Sequence, residues 1–182
     1  MAVDVANVEI GEGDLGIKVG DEMAFTDVGG CRNASLKVET EDKDVEVGQF
    51  IDPIGSFDVA RMIEFTIELV EDTMRNMVIA FGGDPAEITD AGGDLVYDFP
   101  ANSVQGATFM ALEYSVKQVL DSAKVKKVEL FKCKPVGGVE VQFNKKNEKV
   151  YPVTFKAYAD PDAVVSGSPG KITYEGKGTP IP

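Results

Sequence analysis

Histidine and tryptophan are absent from the 182 residues. Losing histidine removes the commonest general base and the commonest metal ligand, which excludes Ser-His-Asp and Cys-His catalysis and strips a zinc site of its usual donor. Cysteine is scarce: Cys31 and Cys133 could pair, but thiols in a reducing compartment stay reduced, so two idle or buried thiols are expected. No stretch approaches the ~20 apolar residues of a membrane span. The first ten residues carry Asp4 and Glu9, with neither a basic segment nor an apolar one to resemble an export signal, so cytoplasmic synthesis is expected. Positive charge is also short. Eighteen Lys and Arg face 31 Asp and Glu, and a net charge of -13 argues against a surface that grips nucleic acid by neutralising phosphates. No P-loop, nucleophile elbow or zinc quartet occurs. With several independent chemistries failing together, we expect a structural or binding protein rather than an enzyme, with no cofactor and no metal.

What is present is the composition of one folded domain, 43% apolar and 27% charged, of a size that buries roughly 70% of its unfolded surface. The organising stretch runs from Ile54 to Gly83. Ile63, Phe65, Ile67 and Leu69 alternate with Glu64, Thr66 and Glu68, the period of a strand with one buried and one polar face. At Asp72, a good N-cap, the period changes: Met74, Met77, Val78 and Phe81 form one stripe of a short helix, closed by Gly82. A β-rich chain with one short amphipathic helix buries that stripe by plugging one flank or end of a sheet sandwich.

Gly11-Glu12-Gly13-Asp14-Leu15-Gly16 spells the dinucleotide fingerprint, but no helical stripe follows and two acids would repel a pyrophosphate. We read it as a glycine-rich turn. Met23 to Val28 is a short strand candidate, and Ala34, Leu36 and Val38 alternate with Ser35, Lys37 and Glu39 in a second half-buried strand. Between that strand and the organising one, Asp42 to Phe57 reads as a long loop, charged at first and then carrying Phe50, Ile51, Ile54 and Phe57. Those apolar side chains either fold back on the domain or insert into a neighbouring subunit. Further strands are expected at Leu95–Phe99, within Ala107–Leu120, at Val125–Cys133, at Val139–Phe143 and at Tyr151–Ala157, with a hairpin turn at Asn144–Glu148 and a last candidate at Lys171–Glu175. The acid run from Glu39 to Asp44 lacks the glycine and the terminal glutamate of a calcium loop and reads as a solvated strand end.

In order and pattern, Ala34–Glu39, the long charged loop, Ala60–Gly83 and Glu148–Asp160 resemble the major tail tube proteins of long-tailed bacteriophages. The resemblance spans roughly Asn33 to Asp160. It implies a mainly β (α+β) domain in which two packed sheets form a sandwich or barrel-like body with one flanking helix. The single domain of 1–182 would carry an N-terminal arm (1–20), a long assembly loop (42–57) and a C-terminal arm (161–182). Hexameric rings would stack into a hollow tube that passes genome DNA in the virion tail, with tape measure, tail terminator and baseplate or tail-tip proteins as further partners. Phe50, Ile51, Ile54 and Phe57 would then make the inter-ring contact. If the strands flanking the loop line the bore, Glu39, Glu41, Glu64 and Glu68 would form an acidic wall that repels phosphate. The alternative is a monomeric β-sandwich that binds a ligand or carbohydrate, and a third reading, an acid-pair hydrolase, needs two carboxylates converging in a pocket.

Overall fold

The computed structural model describes residues 13–45, 55–99, 108–117, 125–140, 150–163 and 167–175. Ten strands and one helix follow in the order β1 (Asp14–Val19), β2 (Thr26–Asp27), β3 (Cys31–Val45), β4 (Gly55–Leu69), α1 (Met74–Ala80), β5 (Thr89–Asp90), β6 (Leu95–Val96), β7 (Met110–Lys117), β8 (Val125–Val136), β9 (Tyr151–Ala157) and β10 (Gly170–Glu175). The chain is mainly β, as its alternating pattern implies. Two sheets form: a large antiparallel one runs β2-β1-β7-β8-β9-β4-β3, with β10 on the free half of β8, and β5-β6 makes a small second one.

The large sheet curls on itself without closing into a barrel. Phe65 of β4 and Tyr114 of β7 have ring centroids 5.4 Å apart although β8 and β9 lie between their strands in the sheet. On a flat sheet, three strand spacings of about 4.8 Å would separate them by roughly 14 Å. The two halves therefore face each other across one core of Leu15, Ile17, Phe65, Ile67, Leu112, Leu130, Val153 and Phe155. Each comes from the apolar phase of an alternating strand, so the fold follows from which phase is buried. Cys31 and Cys133 lie in this core as free thiols, and burial pushes the Cys133 thiol up to about 12.

Several expectations change. The glycine-rich segment is not a turn at its second half: Leu15, Ile17 and Val19 are buried, and β1 is held between β2 and β7, so the core absorbs part of the expected N-terminal arm. The strand expected at Lys171–Glu175 does form, as β10, and pairs along β8. Beyond β8, Val139 and Glu140 are not in a strand, and the remainder of that expected hairpin lies outside the described residues.

The helix also differs in its details. The backbone N–H of Asn76 donates to Thr73 Oγ1 at 3.1 Å, which makes Thr73 the N-cap. Asp72 is occupied elsewhere, accepting from the hydroxyl of the fully buried Tyr151. The buried stripe is Asn76, Val78, Ile79 and Ala80, not Met74 and Phe81. At the other end Gly82 (φ 78°) and Gly83 donate to Ile79 O and Val78 O, the paired bonds of a glycine-closed helix end.

Arg75 clamps Glu22 through two bonds of 2.9 Å, tying α1 to the turn after β1. The Arg75 guanidinium, aided by the Val19 N–H, holds the Glu22 carboxyl below its ordinary range. A lowered folded-state pKa contributes stability above the unfolded value and loses it as pH falls through the folded one. Glu22→Gln should therefore cost about 0.5–1 kcal/mol at neutral pH, since solvent screens this half-exposed pair. The gap from wild type should close as pH falls below the ordinary carboxylate range, read by thermal melts at several pH values.

Candidate assembly surfaces

β3 and β4 stay paired from Cys31↔Leu69 out to Val45↔Gly55. On the other side of β4, however, β9 reaches only to Ile63. From Ile63 to Gly55, eight steps of about 3.3 Å carry the ribbon roughly 26 Å past the body of the sheet. Glu39 to Lys43 and Ala60 to Arg61 are exposed on both faces. The expected long loop is thus, at both ends, a projecting two-stranded arm. Phe57 stands in it opposite Lys43, while Phe50, Ile51 and Ile54 lie outside the described residues. A two-stranded ribbon without a face to pack on is marginally stable by itself, so the arm needs a partner. Among the described residues, the outer edge of β3 is also unpaired.

The four expected wall acids do share one face. Glu39 stands opposite Met62, Glu41 opposite Ala60, and Glu64 and Glu68 lie on the same outward phase of β4. Cations interleave with them. Lys37 stands opposite Glu64, Glu64 opposite Lys156, and Lys156 opposite Lys134, one row across β3, β4, β9 and β8. Arg32 pairs with Glu68 at 3.1 Å and Lys37 with Glu39 at 2.7 Å. A bulge at Asn33, whose positive φ of 55° suits asparagine, turns its amide onto the same Glu68 at 2.8 Å. The face is therefore of mixed charge rather than an acid wall. Lys37 and Lys156 were visible in the period-two pattern as polar-phase residues; their alignment with Glu64 was not, because register across β3, β4 and β9 is a long-range property.

Two further patches had no sequence signal. At the end of α1, Phe81 and Tyr97 flank Phe99 with centroids 5.6 and 5.5 Å away, and Phe81, Leu95 and Phe99 are 39%, 58% and 69% exposed. On the sheet, Lys132 sits 4.7 Å over the Phe109 ring and Lys134 5.4 Å over the Tyr158 ring, the two rings being 5.6 Å apart. The open mouth of the curled sheet holds a cavity of about 510 Å³ lined by Ala34, Leu36, Phe65, Tyr114, Val116, Lys126, Val128 and Ile172. Its charged lining residue is a lysine, and no pair of carboxylates converges there. Among the described residues no cluster of His, Cys, Asp or Glu is arranged to hold a metal, and no helix is long and apolar enough to cross a membrane.

No family model matches the chain, and no curated protein does. Among solved structures, the chain is similar to one from the tail of an empty GTA particle, computed with helical refinement and C6 symmetry. The two share 15% identity at a TM-score of 0.42, covering 87% of this chain and 95% of that one.

Proposed function

We propose that this chain is a non-enzymatic structural subunit of a phage-type tail tube, whose copies form hexameric rings that stack into a hollow conduit for DNA in the virion tail. The observation that carries the reading is the β3–β4 arm: a paired ribbon that extends roughly 26 Å past the reach of β9, with Glu39 to Lys43 and Ala60 to Arg61 exposed, is ordered by a neighbour. The sequence resemblance assigns that segment the same task. Phe50, Ile51, Ile54 and Phe57, the residues the resemblance implies, supply the apolar contact to the next ring.

The β3–β4 part of the mixed-charge face suits a conduit in a different way from an acid wall. Opposite charges on adjacent strands, closer together than the ~8 Å screening length, cancel before they reach a passing phosphate. Such a lining has no continuous cationic stripe to hold DNA, and the surplus negative charge elsewhere on the subunit discourages adhesion.

Electron microscopy and light scattering of the purified protein test the reading: rings or tubes should form as concentration rises. A chain that stays monomeric at high concentration overturns it. The cavity at the sheet's mouth favours the second reading, a monomeric ligand-binding module, and saturable binding of an apolar ligand by a persistent monomer would establish that instead.

A further inference from the structure

Resting on that reading, the geometry points to one specific contact between copies: the acidic aromatic knob after α1 of one copy seats on the lysine-aromatic patch of β8 and β9 of the next. Between Arg75 and Lys117 the chain contains neither lysine nor arginine, and Asp84, Glu87, Asp90, Asp94 and Asp98 all fall within the segment that carries Phe81, Leu95, Tyr97 and Phe99. The knob is a built structure. Asp84 caps a 3-10 turn at Pro85–Glu87, accepting from Ala86 N at 2.9 Å, and the Tyr97 hydroxyl lies so close to Gly83 that any side chain there would strike it. Exposed aromatics ringed by acids form an apolar centre with a negative rim, the layout of a contact surface.

The receiving patch is its complement. Lys134 and Lys156 stand directly opposite one another on neighbouring strands, a like-charge pair of which Glu64, opposite Lys156 on β4, offsets one member and leaves Lys134 in surplus. Among the described residues, neither they nor Lys132 lies within ion-pairing distance of a carboxylate; Lys132 and Lys134 lean on Phe109 and Tyr158 instead. An aromatic-acidic partner supplies both what the lysines lack and what the rings can stack on.

The occupant is a second copy because the two surfaces are charge-complementary and are set apart along one subunit. Tyr151, at the start of β9, anchors Asp72 beside α1, whereas Lys156 and Tyr158 lie five to seven residues on, roughly 17–23 Å away at the strand rise. Two unlike patches that meet between copies make a head-to-tail contact, which propagates into a closed ring or a filament.

A charge-exchange experiment decides it. One variant carries K132E, K134E and K156E; another carries E87K, D94K and D98K; thermal melts confirm that each folds. Each alone should raise the concentration needed for assembly by about tenfold or more. Mixed in equal amounts they should assemble again, since the knob of the first then fits the patch of the second and the reversed charges fit in turn. Phe99→Ala, which leaves every charge in place, should weaken assembly without being rescued by either. Single variants that assemble like wild type, or an equal mixture that stays dispersed, would overturn this contact while wild-type rings leave the tube reading standing. Loss of duplex DNA binding by the lysine variant with assembly unchanged would reassign the patch to nucleic acid. A wild-type protein that never assembles removes both proposals.

Discussion

Replacing Asn76 by alanine should lower stability by about 2–4 kcal/mol, near the largest effect of any single polar substitution in this chain. Asn76 is the one buried polar residue among those described, 1% exposed in the middle of α1. Its side-chain amide donates to Val28 O at 2.8 Å and to Glu71 O at 3.1 Å, joining the connector before β3 to the one after β4. Truncation deletes both bonds; Glu71 O keeps the Thr73 N–H at 3.0 Å, but the buried Val28 O loses the amide donor, and an unsatisfied buried carbonyl costs roughly 1–3 kcal/mol on top of the lost bonds and volume. In a domain of this size that corresponds to a melting point lower by roughly 4–16 °C. Asn76→Asp separates this account from simple loss of volume. The shape is unchanged, but a carboxylate facing two carbonyl oxygens repels both, so at neutral pH this variant should be less stable than Asn76→Ala. Burial and the carbonyls raise the folded-state pKa of the new acid, so its defect is full above that value and shrinks as pH falls below the ordinary carboxylate range, where a protonated oxygen can donate. Thermal melts between acid and neutral pH measure it; a pH-independent defect would show that the amide bonds are not what holds the two connectors.

That residue also marks where reading the sequence stops. The strands legible in advance, around Phe65, Leu36 and Phe155, are those with one face in the core and one in solvent, because only such strands alternate. The organising strand, its change of period into a helix and the mainly β class all follow from this. Asp42–Val45 and Gly55–Phe57 read as parts of a charged loop although they pair across β3 and β4, because a run of charges followed by proline and glycine carries no period-two alternation. Where glycines interrupt the pattern, as at Gly13 and Gly16, a strand reads as a turn. The helix stripe was offset because Asp72 looks like the better cap, and nothing local reveals that Tyr151, 79 residues on, has claimed it. The assembly surfaces follow the same rule. Glu39, Glu41, Glu64 and Glu68 were recognisable as one polar phase, but Lys134 and Lys156 join them only through register between strands far apart in the chain.

The arm yields the second large effect, and it separates folding from assembly. Glu41 and Ala60 stand opposite each other in register, so an Asn-Gly turn can join them in place of residues 42–59 without disturbing the strands below. Asp42 and Lys43, among the residues removed, are exposed, and the pairing from Ile63 to Leu69 with β9 remains. Exposed positions of this kind change stability by only about 0.5 kcal/mol each way, a melting shift of a few degrees at most. The shortened protein should therefore melt close to wild type and retain its β-sheet circular dichroism, yet form no tubes at concentrations where the full chain does. Both halves of that outcome matter. Tubes of normal appearance would show that the ribbon is not what neighbours order, and collapse of the sheet would make the ribbon part of the fold. The truncation leaves the knob at Phe81–Phe99 and the lysines of β8 and β9 untouched, so it isolates the arm's contribution from theirs. With the head-to-tail contact intact and the arm removed, single rings that do not stack are the expected product, visible as a sedimentation species between monomer and tube.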